Sequence, residues 1–179
     1  MSDAGALLCR PARDACERAA YFALRRAIFC DEQRLFADDR DAIDAAAVAI
    51  VCLRDAHPAA PVVVGVVRTW EEAPGDWWGG RLGVAQDHRA MAAVGRRLVQ
   101  TAVGTARAWG AWRFRATVQR ANVAFFRRLR WRSIEELTLF GEPHHLMEAD
   151  LAAYPPIAEP RGDLHLDGAL YALAGEHAA

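Results

Sequence analysis

The chain has 179 residues, with 22 basic side chains against 23 acidic ones and a formal net charge of −1. At 53% apolar and 25% charged it has the make-up of one ordinary globular domain rather than a disordered chain, and its balanced charge supplies no field that would gather nucleic acid or anionic membrane. All 22 basic residues are arginine, so the chain supplies no lysine for a Schiff base, a pyridoxal anchor or a P-loop.

A short strand through Ala6 to Cys9 is followed by an amphipathic helix from Asp14 to about Phe29. Asp14 caps its start, Glu17 three residues on completes a capping box, and Leu24, Ala27 and Ile28 share a face. Leu35 to Asp44, with Asp38, Asp39, Asp41 and Asp44 among small residues, reads as a solvated loop or a short second helix. It lacks the central glycine and terminal glutamate of a calcium loop. The β-branched runs Ala47 to Leu53 and Val62 to Trp70, separated by the turn-prone His57 to Pro61, read as adjacent antiparallel strands. A third strand, about Trp77 to Ala85, passes through Gln86-Asp87-His88-Arg89 into the longest helical pattern, where Val94, Leu98, Ala102, Ala106 and Trp109 recur at helical spacing and Gly110 provides the stop. A strand over about Trp112 to Val118, a short helix over Asn122 to Arg130, and strands Ser133 to Phe140 and His145 to Leu151 complete the pattern.

Hairpin-connected strands followed by helix-separated ones predict an α/β fold: one mixed central sheet of about six to seven strands flanked by helices on both faces. The domain is expected over residues 1–154, with an irregular tail over 155–179 packing on it, in which Leu164 to Leu173 forms a last helical turn or two. Cys9, Cys16, Cys30 and Cys52 are far apart without a C-x-x-C pair and are expected to be reduced core residues, not zinc ligands. A positive segment followed by an apolar core is not seen, nor is a run of about 18 apolar residues, so a cytoplasmic location with no membrane contact is expected.

The strand-to-helix junction from Leu82 to Val99 carries the most chemistry. Small residues feeding a helix start leave backbone N–H groups open, which suits a phosphate, and Arg89, Arg96 and Arg97 would add charge-assisted hydrogen bonds. The competing reading is that Ala90 to Gly95 are small only to let helix and sheet pack closely.

At this junction the chain resembles the GNAT superfamily of N-acetyltransferases, whose acyl-CoA pyrophosphate loop follows an R/Q-x-x-G-x-G/A pattern after the fourth strand. Gly95 fits the last position and Ala93 the inner glycine, while the arginine expected at Ala90 stands one place earlier, at Arg89. Arg25-Arg26-Ala27-Ile28-Phe29-Cys30-Asp31-Glu32-Gln33 resembles the R-x-x-V/I-F-x-x-E-Q start of ElaA-like members, followed by acids at Asp38, Asp41 and Asp44. Gly80-Arg81-Leu82-Gly83-Val84 is similar to their G-R-V-x-V strand, and Gly141-Glu142-Pro143-His144-His145-Leu146-Met147 to their late G-x-P-H-x-x-M strand.

The resemblance implies an acyl-CoA-dependent N-acetyltransferase with acetyl-CoA as co-substrate, no metal, and a small-molecule primary amine as acceptor that attacks the thioester directly. The cofactor-binding positions it implies are Leu82, Gly83, Val84, Arg89, Ala90, Ala93, Val94, Gly95, Arg96, Asn122 and Phe125. Backbone groups of Leu82 and Val84 would bond the pantetheine arm, with the Val84 amide as an oxyanion donor. Phe126 stands where the family carries a tyrosine often proposed to protonate the leaving thiolate, and the glutamate many members carry early on the fourth strand would fall near Trp78. Glu71, Glu72 and Glu32 are the nearest replacement bases, with ordinary exposed acids as the competing reading. His144 and His145 point to opposite faces of a strand and are not expected to share a metal, one facing the core and the other solvent. Trp70, Trp77 and Trp78 are expected on the acceptor side. Two alternatives remain: a CoA-binding regulatory subunit without activity of its own, and an acyl-homoserine-lactone synthase-like acyltransferase. A homodimer is possible, built on the late strands and tail.

Overall fold

The computed structural model describes residues 6–54 and 62–159. Seven strands, β1 (Leu7–Pro11), β2 (Val48–Arg54), β3 (Val62–Ala73), β4 (Asp76–Val84), β5 (Arg113–Gln119), β6 (Trp131–Leu139) and β7 (Glu142–Ala149), form one mixed sheet in the order β1-β2-β3-β4-β5-β7-β6. Neighbours are antiparallel except β4 and β5, whose parallel pairing needs a crossover, supplied by helix α2 (Ala92–Ala108). Helix α1 (Ala15–Arg25) covers one face, with Tyr21 packed among Ala12, Val51, Leu53 and Val66. Helix α2 and the short α3 (Val123–Arg128) cover the other. The expected sheet with helices on both faces is what forms. The turn at His57 to Pro61 and the proposed helix at Leu164 to Leu173 lie outside the described residues.

Local chemistry sets the boundaries. Asp14 caps α1 by accepting from the Glu17 amide at 2.8 Å, but Glu17 reaches back to the Arg13 amide and to Arg10, one residue short of a reciprocal capping box. The helix then widens into a π-helical segment, Arg26–Glu32, inside the stretch expected to be regular α-helix; π-turns of this kind are rare and redirect side chains. In α2, Val94, Leu98, Val99, Ala102, Val103 and Ala106 are all buried against the sheet, and each buried valine or leucine stabilises the fold by roughly 1.5 to 3 kcal/mol. Gly110, at φ 96°, ends this helix in the left-handed conformation that glycine adopts without strain. The described part of the tail packs on α2, the Ile157 amide donating to Gly104 O at 2.9 Å and Trp109 Nε1 to Glu159 O at the same distance.

Two expectations are corrected. Cys9 and Cys52 are register partners on β1 and β2 and are joined as a disulfide, leaving only Cys16 and Cys30 free. The stretch 35–44 leads into a short 3₁₀ helix, Ala42–Ala45, and leaves Asp38 exposed, but its other acids are not simply solvated: Asp39 is buried, and with Asp41 and Asp44 it binds Arg25, Arg68 and Arg81.

Candidate active site

The site begins with strand pairing. β4 and β5 run side by side only from Asp76–Arg113 to Gly79–Ala116, a stretch of four residue pairs. At its closed end Asp76 accepts from Arg113 at 2.7 Å and from Arg115 at 2.6 Å, a clamp between the two strands. Beyond Gly79 the strands part. The cause lies in β4, where Val66 pairs with Gly83 but Arg68 pairs with Gly80, so an extra residue bulges out at Arg81, which adopts φ 53°.

Backbone polarity in the gap follows from strand alternation. The Ala85 amide donates to Val64 O on β3 at 2.9 Å, so the amides of Val84 and, two residues back, Leu82 point the other way, toward the gap. The Val84 carbonyl leaves on the same side and accepts from Arg89 Nε at 3.0 Å. At the end of β4 a short 3₁₀ turn, Gln86–His88, leads to α2, whose N-cap is Met91, a residue without a capping side-chain bond. The Val94 amide is engaged with Met91 O, whereas the Ala92 and Ala93 amides open the helix, where no intrahelical acceptor exists. Gly95 is buried, and a Cβ there would sit 3.3 Å from the Phe125 ring, so α2 and α3 approach closely at their starts.

A cavity of about 420 Å³ passes through the opened sheet. On the α2/α3 side its walls include Leu82, Val99, Asn122 and Phe126; on the other side they include Phe29, Phe36, Trp70, Trp78, Phe140 and His144. Asn122 has no capping bond and is exposed, and the buried Phe126 ring stacks edge-on against Phe125 and Trp131. Trp77 does not join Trp70 and Trp78 as expected: as the strand alternates it turns to the opposite face, 2% exposed, against Trp109.

The proposed bases are not brought to the cavity. Glu71 accepts from the Gly75 amide in the β3–β4 turn, and Glu72 from Trp70 Nε1, both at 2.8 Å. Glu32, at the end of the π-helical segment, holds Arg89 through two hydrogen bonds, and this arginine keeps its carboxyl below the ordinary range, which makes it a weaker base. The cavity acid is Asp41; burial pulls its proton affinity up, but hydrogen bonds and charge from Arg68 outweigh this and hold it low.

His144 is the cavity group that remains for proton transfer. Its Nδ1 lies 2.9 Å from Glu142 O, and since a carbonyl only accepts, Nδ1 is the donor there, which makes Nε2 the lone-pair nitrogen of the neutral ring. Both histidines of the pair are buried, at 8% and 7% exposure, so neither faces solvent: His145 turns to the other face of β7 and bonds Ser133 Oγ at 3.0 Å. The sequence signal for His144 is its place in the late-strand motif, but only the face that β7 turns to the sheet core decides which histidine meets the cavity. Among the described residues no group of side chains is placed to hold a metal ion, and no helix is long and apolar enough to cross a membrane.

No family model and no curated sequence matches the chain. Solved structures do. A Lactobacillus plantarum protein superposes with TM-score 0.72 at 23% identity, over 82% of this chain and 99% of that one. Escherichia coli ElaA gives 0.68 at 19% identity over 82% and 99%, and an aminoglycoside 6'-N-acetyltransferase complexed with coenzyme A gives 0.63 at 11% over 86% and 99%. With a seven-stranded sheet opened between β4 and β5, the chain is by fold a single GNAT-like α/β domain.

Proposed function

We propose that the protein is an acyl-CoA-dependent N-acyltransferase, with acetyl-CoA as donor and a small-molecule primary amine as acceptor. The observation that carries this reading is the parting of β4 from β5 at Arg81, beside the uncapped start of α2: one opening joins a row of free strand amides to a cluster of free helix amides. The first suits the amide-bearing arm of a pantetheine and the second its diphosphate. Leu82 and Val84 would bond the arm, Asn122 and Phe125 would flank it, and Ala92, Ala93 and the exposed Arg96 would meet the diphosphate. The sequence-derived position Ala90 lies in the turn before that helix, and Gly83, Val94 and Gly95 serve by their close packing.

In the reaction, the acceptor nitrogen uses its lone pair to form a C–N bond to the thioester carbonyl carbon. The C–S bond breaks with its electron pair remaining on sulfur, and the nitrogen sheds one proton to His144 Nε2. The Val84 amide would stabilise the oxyanion; one such donor contributes about 10²- to 10³-fold in rate. Phe126 has no proton to give, but a thiol of pKa near 8.5 is a tolerable leaving group at neutral pH.

The absence of Glu32, Glu71 and Glu72 from the cavity wall, together with Phe126, favours a second reading, a protein that binds CoA without turnover. Thiol release from acetyl-CoA over a panel of amines separates them. Turnover well above hydrolysis with any amine supports the enzyme; saturable binding of acetyl-CoA without turnover supports the second reading; no saturable binding at millimolar acetyl-CoA removes both.

A further inference from the structure

The acceptor side of the cavity has an unusual balance of charge and ring surface. Its walls are aromatic, from Phe29, Phe36, Trp70, Trp78 and Phe140. The carboxylate among them, Asp41, is committed: Oδ1 accepts from Arg68 at 2.6 Å, and Oδ2 from Arg68 at 2.7 Å and from Arg81 at 3.2 Å. Behind it, Asp44 and Asp39 are taken up by Arg25, so that three arginines meet three aspartates with no surplus of either sign. Most of the rings are engaged as well, with Phe140 the one that no arginine among the described residues covers. The Arg81 guanidinium lies 4.3 Å from the centre of the Phe36 ring, Arg68 5.3 Å from Trp70, and Arg115 4.5 Å from Trp78.

A cationic amine entering here would shed its water and find the carboxylate already held by ion pairing and four of the five rings by cation–π contact with arginine. An uncharged aromatic amine meets none of these costs and buries its ring against the tryptophans and phenylalanines. Resting on the acyl-transfer reading above, we infer that the acceptor is an aromatic amine whose nitrogen is unprotonated at neutral pH, of the arylamine type, and not an alkylammonium or polyamine. Such a nitrogen has its lone pair ready and needs no base before attack. The one proton it loses as the C–N bond forms and the C–S bond breaks passes to His144 Nε2, and this is why a cavity with no free carboxylate among the described residues suffices.

The test compares para-toluidine, benzylamine and spermidine as acceptors at neutral pH, by thiol release from acetyl-CoA with the full-length protein. Benzylamine matches para-toluidine in size but is a cation there. The expected result is kcat/KM for para-toluidine at least about tenfold above benzylamine, a 1.4 kcal/mol preference, with spermidine at the hydrolysis rate. Arg81→Gln removes one cation and uncovers Phe36, and is expected to shift the para-toluidine to benzylamine ratio toward benzylamine by about that tenfold factor, with an unchanged circular dichroism spectrum as the check on folding. Equal or better use of benzylamine or spermidine by the unaltered protein overturns the inference, as does a ratio unmoved by Arg81→Gln. Calorimetry with acetyl-CoA on the same sample distinguishes the levels: saturable binding without turnover of para-toluidine defeats the acceptor assignment alone, whereas no binding defeats the acyl-transfer reading beneath it.

Discussion

Glu32 and Arg89 hold each other through two hydrogen bonds of 2.5 and 2.7 Å, tying the end of the π-helical segment to the turn that follows β4. Both are half-exposed, and each is expected from the sequence to have its own task, Glu32 as base and Arg89 as diphosphate ligand. Joined, each occupies the other. Glu32→Gln is therefore predicted to leave kcat/KM well short of the ~10²-fold loss that removing a general base causes. Steady-state thiol release checks this, and a loss of that size would restore Glu32 as the base.

For His144 the opposite outcome is expected. His144→Gln should lower kcat by about 10²- to 10⁴-fold with the Kd for acetyl-CoA unchanged, because the imidazole accepts a proton and does not hold the donor. Steady-state thiol release and calorimetry on both proteins decide it: an unchanged kcat, or a loss that appears equally in the Kd, would remove His144 from proton transfer.

Arg96 and Arg89 should separate in binding. Arg96 is exposed on the first turn of α2 with no partner among the described residues, and a charge-assisted bond to phosphate contributes roughly 1.5 to 3 kcal/mol. Arg96→Gln is predicted to weaken CoA binding by about tenfold or more in calorimetry, and Arg89→Gln, already committed to Glu32 and Val84, to weaken it less. The reverse order would mean that Arg89 leaves Glu32 when CoA arrives.

The arginine–aspartate network carries stability. Arg25 is fully buried with hydrogen bonds to Asp39, Asp44 and Tyr21, and removing one partner of a buried ion pair costs about 3 to 5 kcal/mol. Arg25→Met should lower the urea midpoint accordingly. Burial alone would raise the pKa of Asp41 and Asp44, but Arg68 and Arg25 outweigh it, so both lie below their unfolded values. The unfolded chain then takes up protons first on acidification. This contribution is complete above about pH 4 and is lost as pH falls through the depressed folded values. Urea denaturation across pH checks the sign; a contribution lost on going alkaline would contradict it.

Most of the architecture was legible because periodicity and punctuation carry it: α2 announces itself through Val94, Leu98 and Ala102 and stops at Gly110, and the β-branched runs give β2 and β3. Of the candidate site, the placement in the fold was legible: Leu82 and Val84 lie at the end of a strand, and Ala93 and Gly95 at the start of the helix that follows. What the sequence hid depends on register and on contacts between distant residues. The bulge at Arg81 turns on a one-residue offset between β3 and β4, and it fixes how the cavity opens. Arg25 is 14 residues from Asp39 and Arg81 is 40 from Asp41, so acids that look solvated in sequence are arginine partners in the fold, Asp39 buried among them. The cysteine pair was misjudged for the same reason, since only strand register sets Cys9 opposite Cys52.

The central claim is that one opening, between β4 and β5 and at the start of α2, receives an acyl-CoA. Amide-resolved NMR during titration with acetyl-CoA tests it most directly. Saturable shifts should concentrate at Leu82, Val84, Ala92 and Ala93, with the β1 and β2 amides unmoved; an unchanged spectrum at those four amides, with or without shifts elsewhere, would contradict the account.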